Sequence, residues 1–140
     1  MKRTLLILVL VASVMSLHAQ QQHDPNSDIK IDSPDTNKVF VAVQQEPAFP
    51  GGKQKWADYL KENLKYPSQA KENSIQGRVF VQFVVERDGV ISNPKVVRGI
   101  GSGCDEEAIR LMKASPKWDP GLQNGHAVRV QYMVPIDFRL

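Results

Sequence analysis

The sequence predicts an α+β fold: a small antiparallel sheet with helices packed on one face, in two layers. Three observations predict it. Arg78 to Glu86 alternates, with Val79, Val81, Phe83 and Val85 on one side, which is the period of a half-buried strand. Arg87-Asp88-Gly89 follows, then a second strand-like run from Val90 to Arg98, so the two runs form a hairpin. Before and after it, Lys53–Lys65 and Gly103–Ser115 carry apolar residues at helical spacing. Helices that bracket a hairpin, rather than alternating with parallel strands, define the α+β class.

The elements follow in order. Met1-Lys2-Arg3 is a positive start, and Leu5 to Leu17 is apolar except for Ser13 and Ser16. A run of that length is too short for roughly 30 Å of hydrocarbon, so residues 1–19 read as a secretory signal peptide. Cleavage fits after Ala19 or after Ser16, and a retained short anchor is the alternative. Residues 20–38 are polar, carry Pro25 and Pro34, and read as a disordered linker. The domain is expected over 39–140.

Val39 to Val43 reads as a short strand. Pro47, Pro50, Gly51 and Gly52 force a turn before the first helix, Lys53–Lys65, whose stripe holds Trp56, Leu60 and Leu64. Pro67 ends that helix and holds Tyr66 extended. It can also open a short second helix through Asn73. After the hairpin, Pro94 suits an edge position. Ser102 and Asp105 have the spacing of a capping box for Gly103–Ser115. The buried stripe there is Cys104, Ala108, Leu111, Met112 and Ser115, and Pro116 stops the helix. Trp118-Asp119-Pro120-Gly121 and Asn124-Gly125 read as turns, and Ala127 to Leu140 as the last strand. Pro135 interrupts that strand. A proline lacks the N–H that a doubly flanked strand needs, so one side of Ala127–Leu140 is expected to be a sheet edge. Val39–Val43 either lies elsewhere or folds over that edge; an accessible edge is the expectation.

The chemistry-bearing patterns are weak. Without Lys2 and Arg3 the balance is 16 basic against 15 acidic side chains, which argues against a nucleic-acid partner read by a basic face. Gly99-Ile100-Gly101-Ser102-Gly103 lacks the third glycine of a phosphate loop. Asp105, Glu106 and Glu107 already occupy the positive end of the following helix. Asp24 to Asp35 imitates a calcium loop but has Ile29 where glycine is needed and Asp35 where glutamate is needed. No histidine pair has metal-ligand spacing. The single cysteine, Cys104, shares a stripe with Ala108 and Met112 and reads as core. A small envelope enzyme using Cys104 is the competing class. No cofactor is expected.

From Val39 to Leu140 the chain resembles the C-terminal domain of TonB, in a short subgroup. The resemblance rests on Glu46-Pro47-Ala48-Phe49-Pro50-Gly51-Gly52, Leu64-Lys65-Tyr66-Pro67, Gln76-Gly77-Arg78-Val79 and Asp88-Gly89. It continues through Asp105-Glu106-Glu107-Ala108, Pro116-Lys117-Trp118, Pro120-Gly121 and Val134-Pro135-Ile136. It implies a binding module, not an enzyme. Such a domain takes the TonB-box peptide of an outer-membrane transporter as an added strand on the edge after the last helix. It can work with an inner-membrane proton-driven motor complex. The expected peptide-binding residues are Val128, Arg129, Val130, Gln131, Tyr132, Met133 and Val134, with Tyr66 and Pro67 in the adjacent loop. A homodimer stays open. The expected location is the periplasm, or the periplasmic side of the inner membrane if the anchor is kept. The 19-residue linker reaches at most roughly 60–70 Å. The resemblance therefore carries peptide binding further than force transmission.

Overall fold

The computed structural model of the chain describes residues 37–140; the expected signal peptide and most of the expected linker lie outside them. The elements are β1 (Val39–Phe40), α1 (Gly52–Asn63), α2 (Ser68–Glu72), β2 (Gly77–Val85) and β3 (Ile91–Arg98). They are followed by α3 (Cys104–Lys113), β4 (Gly121–Gln123) and β5 (His126–Phe138). The sheet order is β1-β5-β2-β3, and β4 pairs with the start of β5. β5, β2 and β3 are antiparallel neighbours, whereas β1 runs parallel to β5.

The alternation in β2 does what its period dictates. Val79, Val81, Phe83 and Val85 are buried, and the residues between them are half-buried. Against them pack Val134, Ile136 and Phe138 of β5 and Cys104, Ala108, Leu111 and Met112 of α3. Burial of each valine, leucine, isoleucine, phenylalanine or methionine among them stabilises the fold by about 1.5–3 kcal/mol. Phe49, Trp56, Tyr59 and Trp118 extend the core as an aromatic cluster, with ring centroids 5.4–5.7 Å apart. The hairpin closes on Gly89, whose φ of 86° suits glycine. A Cβ there would lie 2.0 Å from the Trp118 carbonyl oxygen. The Trp118 N–H donates to the Gly89 carbonyl at 2.8 Å, so this close approach is part of the fold.

Several boundaries differ from expectation for identifiable reasons. β1 has two residues, not five. Gln45 exchanges two backbone hydrogen bonds with Leu122, and Ala48 two with Asp119, which draws the chain away from β5 after Phe40. Gly121–Gln123, expected as turn and connector, forms β4 by pairing with His126–Val128 of β5. Asn124 and Gly125 both have positive φ, the requirement of a tight two-residue hairpin turn, and join β4 to β5. α1 stops at Asn63 because Leu64 is already extended. Pro67 precedes α2 as its N-cap rather than lying inside it. The Ser102 cap does not form: Gly103 is the N-cap, and no side chain caps it. Asp105 instead accepts the N–H groups of Ile100 and Gly101 at 2.9 and 3.2 Å. In the α3 stripe Ser115 is half-buried, and Glu107 is buried in its place.

Candidate functional site

The β2–β5 register runs through nine consecutive pairs, Gly77↔Phe138 to Val85↔Val130, and includes Phe80↔Pro135. An unbroken ladder through a proline requires that its nitrogen face away from the partner, because it has no hydrogen to give. Main-chain groups alternate sides along a strand. The outward-facing groups on β5 are therefore those of Arg129, Gln131, Met133, Pro135 and Asp137. Those of Val130, Tyr132, Val134, Ile136 and Phe138 face β2. The side chains sort in the same alternation: Gln131, Met133, Pro135 and Asp137 are exposed, and Val130, Val134, Ile136 and Phe138 are buried.

The edge is covered at one end. β1 holds the register Val39↔Arg129 and Phe40↔Val130 there; Ala127 and Val128 pair with β4, on the side that β2 occupies further along. The expected open edge over the whole strand is therefore corrected: β1 sits on it. Among the described residues, no strand pairs with that side of β5 from Gln131 to Phe138. The covered end is latched. Arg129 Nη1 donates to the Asn37 carbonyl at 2.8 Å, and Arg129 Nε donates to Glu86 Oε2 at 2.7 Å. The Arg129 hydrogen bond holds the Glu86 carboxyl below the usual glutamate range. Partial desolvation opposes this, and the Ser92 hydroxyl reinforces it at 2.6 Å. Lys38 places its ammonium 4.8 Å from the Phe40 ring centroid.

Tyr66 and Pro67 lie elsewhere. The Tyr66 ring stands edge-on to Phe138 at 5.8 Å, and its hydroxyl donates to the Ile75 carbonyl. Phe138 is nine residues along β5 from Arg129, about 30 Å of strand. The structure thus brings Gln131, Tyr132, Met133 and Val134 into one rim segment. It assigns Arg129 and Val130 to a pairing with β1 and Val128 to a pairing with β4. It puts Tyr66 and Pro67 at the far end. Tyr132 points to the helix layer, where its ring meets Phe83 and Trp118, each at 6.1 Å.

A residue missed in the sequence, Glu107, fixes the Tyr66 loop. Its carboxylate accepts the Lys65 N–H at 2.8 Å and two Arg110 nitrogens at 2.5 and 2.7 Å. Arg110 also donates to the Asn63 carbonyl. Burial acts to raise the Glu107 pKa; the bonds from Arg110 and Lys65 outweigh it and leave it lowered. The signal was present in the sequence: Glu107 shares the phase of Cys104, Ala108 and Leu111 and precedes an arginine by three.

Cys104 is fully buried, and burial, then Asp105, Glu106 and Glu107, push its thiol pKa up. That is the reverse of what a thiolate nucleophile requires. Among the described residues no three His, Cys, Asp or Glu side chains group as metal ligands, and no helix is long and apolar enough to cross a membrane.

The domain is thus a two-layer α+β fold whose edge strand β5 is covered by β1 at one end. The family model for the C-terminal region of the Gram-negative bacterial TonB protein matches residues 62–140, and the chain belongs to that family. The family takes part in energy-coupled transport at the cell envelope. The solution structure of the Helicobacter pylori TonB C-terminal domain is similar at 22% identity and a TM-score of 0.46. That match covers 62% of this chain and 78% of that one. The Pseudomonas aeruginosa TonB C-terminal domain is similar at 28% identity and a TM-score of 0.43, over 54% and 77%. Among curated proteins, none matches the chain.

Proposed function

We propose that this chain is a non-enzymatic binding protein of the bacterial periplasm. It takes the TonB-box peptide of an outer-membrane transporter as a strand added to the rim of β5. The observation that carries the reading is the rim itself. Its ladder on one side is regular for nine pairs, and on the other the described pairing stops at Val130. Added strands gain affinity from main-chain bonds and specificity from alternate side chains. Gln131 and Met133 supply outward main-chain groups before Pro135, which supplies only a carbonyl. Residues 1–19 direct export and are removed, with a retained anchor as the alternative. An inner-membrane proton-driven motor is the partner if the anchor is kept, and N-terminal sequencing of the exported chain separates these two forms.

The test is a titration with the N-terminal box peptide of a transporter, followed by amide exchange. Met133, whose outward N–H lies beyond the β1 pairing, should gain protection. Protection confined to Ser92–Val97 would place the peptide on the opposite edge of the sheet and sink the reading.

A further inference from the structure

The uncovered rim is short. Between Arg129 and Pro135 only Gln131 and Met133 turn main-chain groups outward, and the parallel register Phe40↔Val130 already directs the Gln131 N–H to the Phe40 carbonyl. The next such residue, Arg129, is occupied by β1. We infer that β1 is a displaceable strap. It holds the start of the peptide site closed in the resting protein and is exchanged for the incoming strand. This rests on the reading of the β5 rim as the peptide site and adds its regulation.

The strap is weakly held. It is two residues long, and Val39 and Phe40 are both only half-buried. Its ties beyond the ladder include the Arg129–Asn37 bond and, behind it, the Arg129–Glu86 pair, in which both side chains are about a quarter exposed. The residues after it are strand-forming in type yet leave the sheet: Val41 is 77% exposed, the most exposed large apolar side chain described. They leave because Gln45 and Ala48 are tied to Leu122 and Asp119. That tether keeps the strap close to β5 after release, so closure is intramolecular and fast to recover. A binding-competent form that is a minor fraction of the protein weakens apparent affinity by that fraction.

The full chain tests this with two variants of opposite effect. In a parallel ladder an outward residue such as Arg129 bonds to the two residues flanking its register partner Val39. The strap's donor is therefore the Phe40 N–H, and Phe40→Pro removes it. This variant should bind a transporter box peptide about tenfold more tightly than the natural chain. Val39→Cys with Arg129→Cys places thiols on register partners, within disulfide reach. Oxidised, this variant should lose peptide binding, and reductant should restore it. Equal affinity in all three forms overturns the strap and leaves the proposed function standing. If the box peptide binds none of them, the proposed function fails, and a synthetic Lys38–Gln44 peptide decides the strap. Binding of that peptide to Phe40→Pro, with protection at Arg129 and Gln131, upholds an exchangeable edge. No binding overturns it.

Discussion

The sheet has two edges, and they are guarded in different ways. The β3 edge is spoiled by its own sequence. Its register with β2 shifts twice, between Phe80 and Val81 and between Gln82 and Val84. Val97 is the extra residue at the first shift. Asn93, with φ of 49°, and Pro94 lie at the second. Bulges and proline make a permanently poor template for a further strand. The β5 edge is regular and, among the described residues, is guarded by a two-residue cover and by one proline set so that its missing donor faces outward. Under the proposed function, the edge that must not pair is deformed, and the edge that takes the peptide is straight and lightly covered.

The largest test of this contrast compares prolines at adjacent β5 positions. Tyr132 turns its N–H to β2, opposite Phe83, so Tyr132→Pro breaks the central ladder and should cost about 3 kcal/mol or more. Met133 turns its N–H outward. Met133→Pro should cost about 1 kcal/mol or less yet remove most peptide affinity, because the rim loses a donor. Urea unfolding and peptide titration of both variants check this. Equal stability losses would mean that the assigned strand phase is wrong.

Next in size is Gly89→Ala, at the turn between the two edge systems. The added Cβ meets the Trp118 carbonyl oxygen at 2.0 Å, at a φ of 86°. Left-handed backbone and displacement of Trp118 together should cost about 2–4 kcal/mol, read as a fall in the urea midpoint. A near-neutral result would mean that the segment leading to β4 moves independently of the hairpin.

How far these features were legible differs along the chain. β2 was readable because four buried residues at strict alternation admit one orientation. Pro135 announced an edge, and the ladder through Phe80 supplied its direction. The cover on that edge was not legible. Val39–Phe40 meets Arg129–Val130 some ninety residues later in a parallel pairing that leaves no local pattern, and β4 is a three-residue strand that forms by pairing back on His126–Val128. Tyr66 was read as a ligand contact from resemblance, but its ring and hydroxyl are both used inside the fold. Glu107 was hidden because it follows Asp105 and Glu106 in one acidic run at a helix start, while its carboxylate is buried and accepts the Lys65 N–H.

A smaller effect sharpens the description of the β3 edge. Pro94→Ala restores an N–H in the bulged segment without changing the register shifts. Peptide affinity should stay within about twofold of the natural chain, because the bulge still prevents a regular ladder. A new protection pattern over Ser92–Val97 on adding peptide would show that the proline alone guarded that edge.

The smallest effect concerns the latch at the other edge. The Arg129 hydrogen bond lowers the Glu86 pKa in the folded protein from an ordinary value of 4.5. A carboxyl with a depressed folded pKa contributes stability that is fully present above its unfolded pKa and is lost as pH falls through the folded one. The latch should therefore be unchanged from neutral pH down to about pH 5 and weaken below the usual glutamate range. Both side chains are partly exposed, so the change should be less than about 1 kcal/mol. Protection of the Phe40 amide, corrected for the intrinsic pH dependence of exchange, should fall in that window. Glu86→Gln should show the low-pH protection at every pH. If Phe40 protection in the natural chain does not change between pH 6 and the acid limit of the folded state, the Glu86–Arg129 pair does not hold β1. The ladder and the Arg129–Asn37 bond would then carry the cover alone, and the two edges would differ only in the regularity of their strands.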